Sequence, residues 1–285
     1  MSRSSLSRLS APRVRRAAAA STAALVLVGL AACSSSSSTT AGSTSSAAAS
    51  SSASSSASAA LNGKVTVFAA ASLKKTFTQL GKAFEAAHPG VTVTFNFGGS
   101  DTLAASIVSG APADVFASAS LATMKTVVDK GDTAAAPVDF AKNELEIAVQ
   151  PGNPKKITSL SQLTGSGIKV ALCAKSVPCG AAAQKALTAA GVKLTPVTLE
   201  QDVTAALTKV ELGEVDAALV YRTDVKSAGS KVTGVNFAEA GKAVTTYPIA
   251  ALKGSSNAAA AQAFAAYVAS PEGEQVLAAA GFQAP

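Results

Sequence analysis

KVTVFAAASLKKTFTQLGKAFEAA, residues 64–87, opens as a strand and continues as a helix. Lys64 to Ala70 is β-branched and apolar, the composition of a buried strand. From Leu73 to Ala87 the apolar spacing changes to that of a helix. Leu73, Phe77, Leu80 and Phe84 then share one face. His88-Pro89-Gly90 stops that helix. The two periods meet at Ala69-Ala70-Ala71-Ser72, a turn of small residues.

The pattern repeats along the chain. Val91–Phe97 reads as a strand and 102–109 as a helix. Gly110-Ala111-Pro112-Ala113 is a turn, 114–117 a short buried strand, and Leu121–Lys130 a helix. A second series starts with a strand at 144–149, closed by Pro151-Gly152-Asn153-Pro154. A short helix is expected at 158–163, strands at 169–172, 197–199 and Ala217–Tyr221, and helices at 181–190 and 202–212. Residues 244–252 read as extended around Pro248, and 258–269 and Pro271–Ala280 as helices, the second opened by its proline. Strands alternating with helices predict an α/β class with parallel strands. The two similar units, 61–143 and 144–244, would form two lobes. The last strand and two helices, 245–285, would return to the first lobe.

Four strand-to-helix turns carry the candidate chemistry. They are Ala69–Ser72, Gly98-Gly99-Ser100-Asp101, Ser176-Val177-Pro178-Cys179-Gly180 and Glu200-Gln201-Asp202-Val203. A helix start leaves backbone N–H groups unpaired and carries partial positive charge, so it favours anions. In open α/β sheets ligands bind beyond the carboxyl ends of strands, where all four turns lie. Ser72 and Ser100 each offer a hydroxyl and a backbone N–H, although capping of the helix alone would explain either serine. Gly98 and Gly99 permit close backbone approach. Cys179, Gly180 and Val203 offer backbone N–H groups. Tyr221 ends a buried strand with a phenol that needs a partner, which a protein group in the core would also satisfy. None of the turns pairs a nucleophile with a base. The chain's single histidine, His88, falls in an exposed turn, which disfavours an exported serine hydrolase using Ser72 or Ser100. A scaffold or adhesion protein would leave four ordered donor turns without a purpose.

The first 60 residues stand apart. Arg3, Arg8, Arg13, Arg15 and Arg16 precede an apolar run, 17–30, too short for a permanent span, which ends at Leu30-Ala31-Ala32-Cys33. Small residues before a cysteine resemble a lipobox, so residues 1–33 are expected to be a lipoprotein signal with lipid on Cys33. An ordinary secretory signal is the alternative. Residues 34–60 are almost wholly Ser, Ala, Thr and Gly and suit a disordered tether. The formal charge of +7 is carried largely by the signal: the 24 basic residues less those five leave 19 against 17 acidic, a net of +2. With no basic run and few aromatics, nucleic acid is excluded as a partner. Cys173 and Cys179, the pair left in an exported chain, read as a disulfide worth about 2–3 kcal/mol in the chain-entropy picture. Two cysteines and one distant histidine make a poor metal site.

VFAAASL, GGSDTLAASI, GAPADVFASA, VPCG, EQDVTAAL and ALVY, in this order, resemble the molybdate-binding proteins of ABC transporters over nearly all of 61–285. The resemblance implies a type II periplasmic-binding-protein fold, with two lobes of mixed, mainly parallel sheets and an interdomain cleft. It implies molybdate or tungstate as ligand, with no cofactor, no catalysis and no bound cation. It also implies a monomer that hands its ligand to a permease on the extracytoplasmic face of the membrane. Ser72 and Ser100 would give hydroxyl and backbone donors, Cys179 (often Ala in the family) and Val203 backbone N–H, and Tyr221 its hydroxyl. Asp101 departs from the family, which favours small or hydroxyl residues there. A carboxylate facing the ligand would suit a protonated phosphate instead; a receptor for sulfate or phosphate is the remaining alternative.

Overall fold

The structure is a computed structural model that describes residues 60–285. The signal segment, Cys33 and the tether up to residue 59 lie outside the described residues.

The chain runs β1 (Asn62–Ala70), a 3-10 turn (Ala71–Leu73), α1 (Lys74–Ala87), β2 (Gly90–Gly98), α2 (Ser100–Val108), β3 (Val115–Ala117), α3 (Leu121–Lys130) and β4 (Val138–Asn143). It crosses at Glu144 into β5 (Leu145–Val149), β6 (Val170–Cys173), α4 (Pro178–Ala189), β7 (Thr198–Glu200), α5 (Val203–Glu211), β8 (Ala217–Tyr221), α6 (Arg222–Ala228) and β9 (Thr233–Val235). It then returns through β10 (Thr245–Ala251) to α7 (Ala258–Val268) and α8 (Pro271–Ala280). Two five-stranded sheets result, in the orders β2-β1-β3-β10-β4 and β7-β6-β8-β5-β9.

The protein is α/β with two mixed sheets. In each sheet four strands run one way and a single strand, β10 or β5, runs against them, so the sheets are mixed and mainly parallel as expected. In the first, β1 pairs parallel with β2 and β3, while β10 runs antiparallel to β3 and β4. In the second, β6 pairs parallel with β7 and β8, while β5 runs antiparallel to β8 and β9. The chain passes between the sheets twice, and the two crossings lie side by side: Thr245 pairs with Asn143, and its hydroxyl donates to the Asn143 carbonyl at 3.4 Å.

Three segments carry no periodicity that would reveal them. β4 (VDFAKN) is an edge strand whose charged residues break the alternation. β9 (TGV) is too short, and α6 (RTDVKSA) is largely polar. The short helix expected over 158–163 is a 3-10 turn at Ser161–Thr164. α2 and α4 start two and three residues earlier than their apolar spacing suggests, at Ser100 and Pro178. That shift places Ser100 and Cys179 inside the first helical turns.

Each half has its own core. On one face of the first sheet, Phe77 and Phe84 of α1 meet Phe264 of α7, at ring separations of 6.3 and 5.3 Å with edge-on geometry. Phe68, Leu103, Phe116 and Met124 fill the other face, under α2 and α3. The second half packs Ile147, Leu172, Leu207 and Leu219 around its sheet. Ala71, in the turn after β1, joins this second core and so ties the halves together beside the cleft. Phe264 is fully buried. Phe264→Ala is expected to lower unfolding free energy by about 3–5 kcal/mol, read as a lower urea midpoint with an unchanged slope.

Candidate functional site

The carboxyl ends of β1, β2 and β3 in one half face those of β6, β7 and β8 in the other across a small, partly open cavity of about 10 Å³. Its wall is made of Ala70, Ala71, Ser72, Gly98, Gly99, Ser100, Ala119, Val177, Pro178, Cys179, Asp202, Val203 and Tyr221. All five expected residues, Ser72, Ser100, Cys179 and Val203 from the donor turns and Tyr221 from the end of β8, therefore line one cavity.

Several helix starts converge here. Neither α2 nor α4 has a side-chain cap, so the orphan N–H groups of their first turns are left for whatever occupies the cavity. Ser72 sits in the 3-10 turn that opens α1, also without a side-chain cap. α5 differs: Asp202 accepts from Ala205 N–H at 2.9 Å, leaving the Val203 N–H free of that cap. By contrast α3 is capped by Ser120, and α8, away from the cavity, by Ser270. Two uncapped helix starts, those of α2 and α4, thus meet at the cavity.

The hydroxyls have fixed roles. Ser100, 1 % exposed, accepts from the Ala119 N–H at 3.0 Å, so its own hydrogen is available to the cavity. Ala119 belongs to a fifth strand-to-helix turn, Ser118-Ala119-Ser120 between β3 and α3, whose two serine hydroxyls are engaged within the turn and with Thr123 of α3. Ser72 Oγ lies 3.0 Å from the Tyr247 hydroxyl. Tyr221, 1 % exposed, lies near Thr245 and Tyr247, yet its hydroxyl completes no hydrogen bond. Burial holds that phenol well above its ordinary pKa, so it stays protonated as a donor.

Charge is kept out of the cavity. No lysine or arginine lines it, and its single carboxylate, Asp202, is engaged at the start of α5. Asp101 turns away from the wall: its Oδ1 is buried beside Gly99 and lacks a partner. Lys74 and Lys75 instead line a wider groove alongside, together with Lys231, which pairs with Glu211 at 3.4 Å. His88 packs half-buried on Phe84, 4.5 Å between ring centres, rather than in an exposed turn, and serves neither serine as a base.

Two glycines make these contacts possible. A Cβ on Gly99 would strike the Gln201 carbonyl of the opposite half, so Gly99 marks where the halves approach most closely at the site. A Cβ on Gly180 would strike the Ala174 carbonyl, in the loop closed by the Cys173–Cys179 disulfide.

The bacterial extracellular solute-binding protein family matches residues 65–283. The chain belongs to that family. It is 47 % identical over 221 residues to the molybdate-binding protein ModA of Mycobacterium tuberculosis, covering 78 % of this chain and 85 % of that protein. It superposes on the substrate-binding domain of a putative molybdenum ABC transporter from Clostridium difficile with a TM-score of 0.60 and 28 % identity, covering 78 % and 99 % of the two chains. Against the Azotobacter vinelandii periplasmic molybdate-binding protein the TM-score is 0.67 at 23 % identity, with the same coverage, a likeness of fold. These relatives are solute-binding proteins, not enzymes.

Two outcomes test this geometry. Gly99→Ala is expected to leave each half folded but hold the halves apart, which small-angle scattering would read as a larger radius. Asp224, three residues beyond Tyr221, accepts from the Tyr221 N–H at 2.9 Å and is buried. Burial chiefly, and the nearby Asp202 charge, push its carboxyl from the ordinary 3.8 to about 7. Between those values the folded protein holds a proton that the unfolded chain has released. Stability is therefore expected to fall as pH rises through that window and to level off above it. Asp224→Asn, which keeps an acceptor for Tyr221 N–H, should flatten this dependence in urea titrations across the same pH range.

Proposed function

We propose that the protein captures molybdate between its two halves and delivers it to an ABC permease. The halves, 61–143 with 245–285 and 144–244, would act as lobes that close by flexing at the paired crossings. The observation that carries this reading is a small cavity whose converging groups are donors, including a protonated Tyr221 hydroxyl without a protein partner.

Molybdate at neutral pH is a tetrahedral dianion with no proton, so it only accepts hydrogen bonds. Ser72 and Ser100 would supply hydroxyl and backbone donors, Cys179 and Val203 backbone N–H groups, and Tyr221 its phenol. Each hydrogen bond to the dianion contributes on the order of 1.5–3 kcal/mol net. Closure excludes water and strengthens all of them together. Tungstate has the same charge and shape and would bind in the same way. Family relatives named for molybdate, at up to 47 % identity, support this choice among oxyanions. Phosphate, which keeps a proton near neutrality, would need an acceptor. Asp101 faces away from the wall, and the remaining carboxylate, Asp202, is committed to its helix.

A lipid on Cys33 and a tether over 34–60 would hold a monomer at the extracytoplasmic face of the membrane. Closed and open lobes present different rims, which gives a permease a way to distinguish loaded from empty protein.

Calorimetric titration of residues 60–285 is expected to show tight binding of molybdate and tungstate and little heat with sulfate. Ser100→Ala should weaken molybdate binding by roughly tenfold or more, from one lost charge-assisted bond. Equal affinities for sulfate and molybdate would defeat the assignment of ligand.

A further inference from the structure

Behind Ser72 lies a chain of polar groups whose direction can be worked out from its far end. Asn143 ends β4, at the first crossing between the halves, and is 1 % exposed. Its Oδ1 accepts from the Glu144 N–H at 3.0 Å, which fixes the orientation of the amide. Its Nδ2 therefore points the other way, donating to Thr223 Oγ1 at 2.8 Å and to the Tyr247 hydroxyl oxygen at 3.4 Å. An amide nitrogen cannot accept, so Tyr247 is the acceptor in that contact and its own proton must go elsewhere. The partner within reach is Ser72 Oγ, at 3.0 Å. Tyr221 is near but makes no hydrogen bond with it. Ser72 then receives a hydrogen bond from Tyr247, and its own hydrogen has the cavity as its outlet.

We propose that Tyr247 is a positioning and specificity-determining residue: through the relay Asn143 N–H to Tyr247 O–H to Ser72 O–H it aims the serine hydrogen into the cavity. This rests on the reading of the cavity as an oxyanion site. It does not depend on which proton-free oxyanion is preferred.

The relay has a chemical consequence. A free serine hydroxyl donates or accepts as its ligand requires. Ser72, with Tyr247 donating to it, presents a hydrogen, which suits an anion without protons. An anion that carries a proton and must place it on an acceptor loses that option at Ser72. Tyr247 is fully buried and sits on β10, just past the second crossing, with its ring against Phe140 and Phe282. Burial holds its phenol well above the ordinary range, so the relay keeps its proton at physiological pH. Each bond in such a chain polarises the next, which strengthens the final donor.

The test is a titration panel on wild type and Tyr247→Phe in mildly alkaline buffer. The panel holds the proton-free anions molybdate, tungstate and sulfate, and hydrogen arsenate and hydrogen phosphate, which have the same charge but carry a proton. Tyr247→Phe keeps the ring, and a thermal melt checks that it folds. The expected result is a loss of roughly tenfold in affinity for the best proton-free anion, with a smaller loss or a gain for hydrogen arsenate, so that the ratio between them narrows. In a Ser72→Ala background Tyr247→Phe should not change that ratio further. Equal loss for both anion classes, or an undiminished effect of Tyr247→Phe without the Ser72 hydroxyl, would assign Tyr247 a packing role and overturn the relay. Wild-type binding of sulfate in place of molybdate, with the ratio still narrowing in the variant, would overturn the ligand assignment and support the relay. Molybdate binding with an unaltered ratio in Tyr247→Phe would do the reverse.

Discussion

A helix cannot satisfy its own first N–H groups, and a folded protein must provide for them with a cap, with water or with a ligand. In this chain α3 and α8 are capped by their own residues: Ser120 and Ser270 supply the usual side-chain oxygens. At the cavity α2 and α4 have glycine and valine in the cap position, residues that offer no oxygen. Uncapped starts cost stability, of the order of 1 kcal/mol each relative to a good cap. Their gathering at one point, with the phenol of Tyr221 also unpartnered, leaves a local deficit of acceptors. A tetrahedral dianion supplies four of them. The rest of the architecture serves to bring these donors from two sheets to one place.

That convergence depends on small residues and on how the chain crosses. β1 and β2 end in Ala70 and Gly98, so the backbone itself, rather than long side chains, forms the wall. Gly99 lets the two halves meet at Gln201, and Gly180 lets α4 begin against the Ala174 loop. The disulfide from Cys173 to Cys179 spans the end of β6 and the first turn of α4. It holds one uncapped start at a set distance from its strand. The two crossings are neighbours at one end of β4 and β10, so the proposed rotation about them would separate the halves without breaking either sheet. Ala71 of the first half packs in the second core, so opening gives up a small apolar contact as well as the ligand's hydrogen bonds.

Much of this was legible in the chain because strand, turn and helix leave different periodicities. The turns after β1, β2, β6 and β7 stood out through their small residues and led to Ser72, Ser100, Cys179 and Val203, which with Tyr221 line one cavity. What stayed hidden has a physical explanation in each case. Ala119 contributes a backbone N–H to Ser100, and an alanine carries no mark of that use. Tyr247 reads as a core tyrosine, since its partners Asn143 and Ser72 are 104 and 175 residues away and meet it only through the crossings. The mixed sheets followed from the family resemblance and not from periodicity, because the direction of β5 and β10 is set by the crossings and leaves no mark in composition, while β4 and β9 are too polar or too short to register as strands. Asp101 followed a candidate ligand in sequence, yet helix geometry rotates the next residue away from the wall.

A receptor must release what it binds, and the composition of this cavity bears on that requirement. A lysine or arginine buried against the anion would be left uncompensated when the halves open, at a cost far above that of an unpaired N–H. In the proposed reading neutral donors would avoid this: on opening, the amides of the helix starts and the hydroxyls of Ser72, Ser100 and Tyr221 would take water as acceptor in place of the anion. Affinity is then tied to the closed state, in which all donors act at once and water is excluded. Loss of closure weakens every bond together instead of one at a time. Two exposed lysines along the adjoining groove, Lys74 and Lys75, would on this reading draw an anion toward the cleft without becoming part of its binding set. Attraction at a distance and grip at contact are thereby carried by different residues, so the grip disappears with closure while the attraction does not.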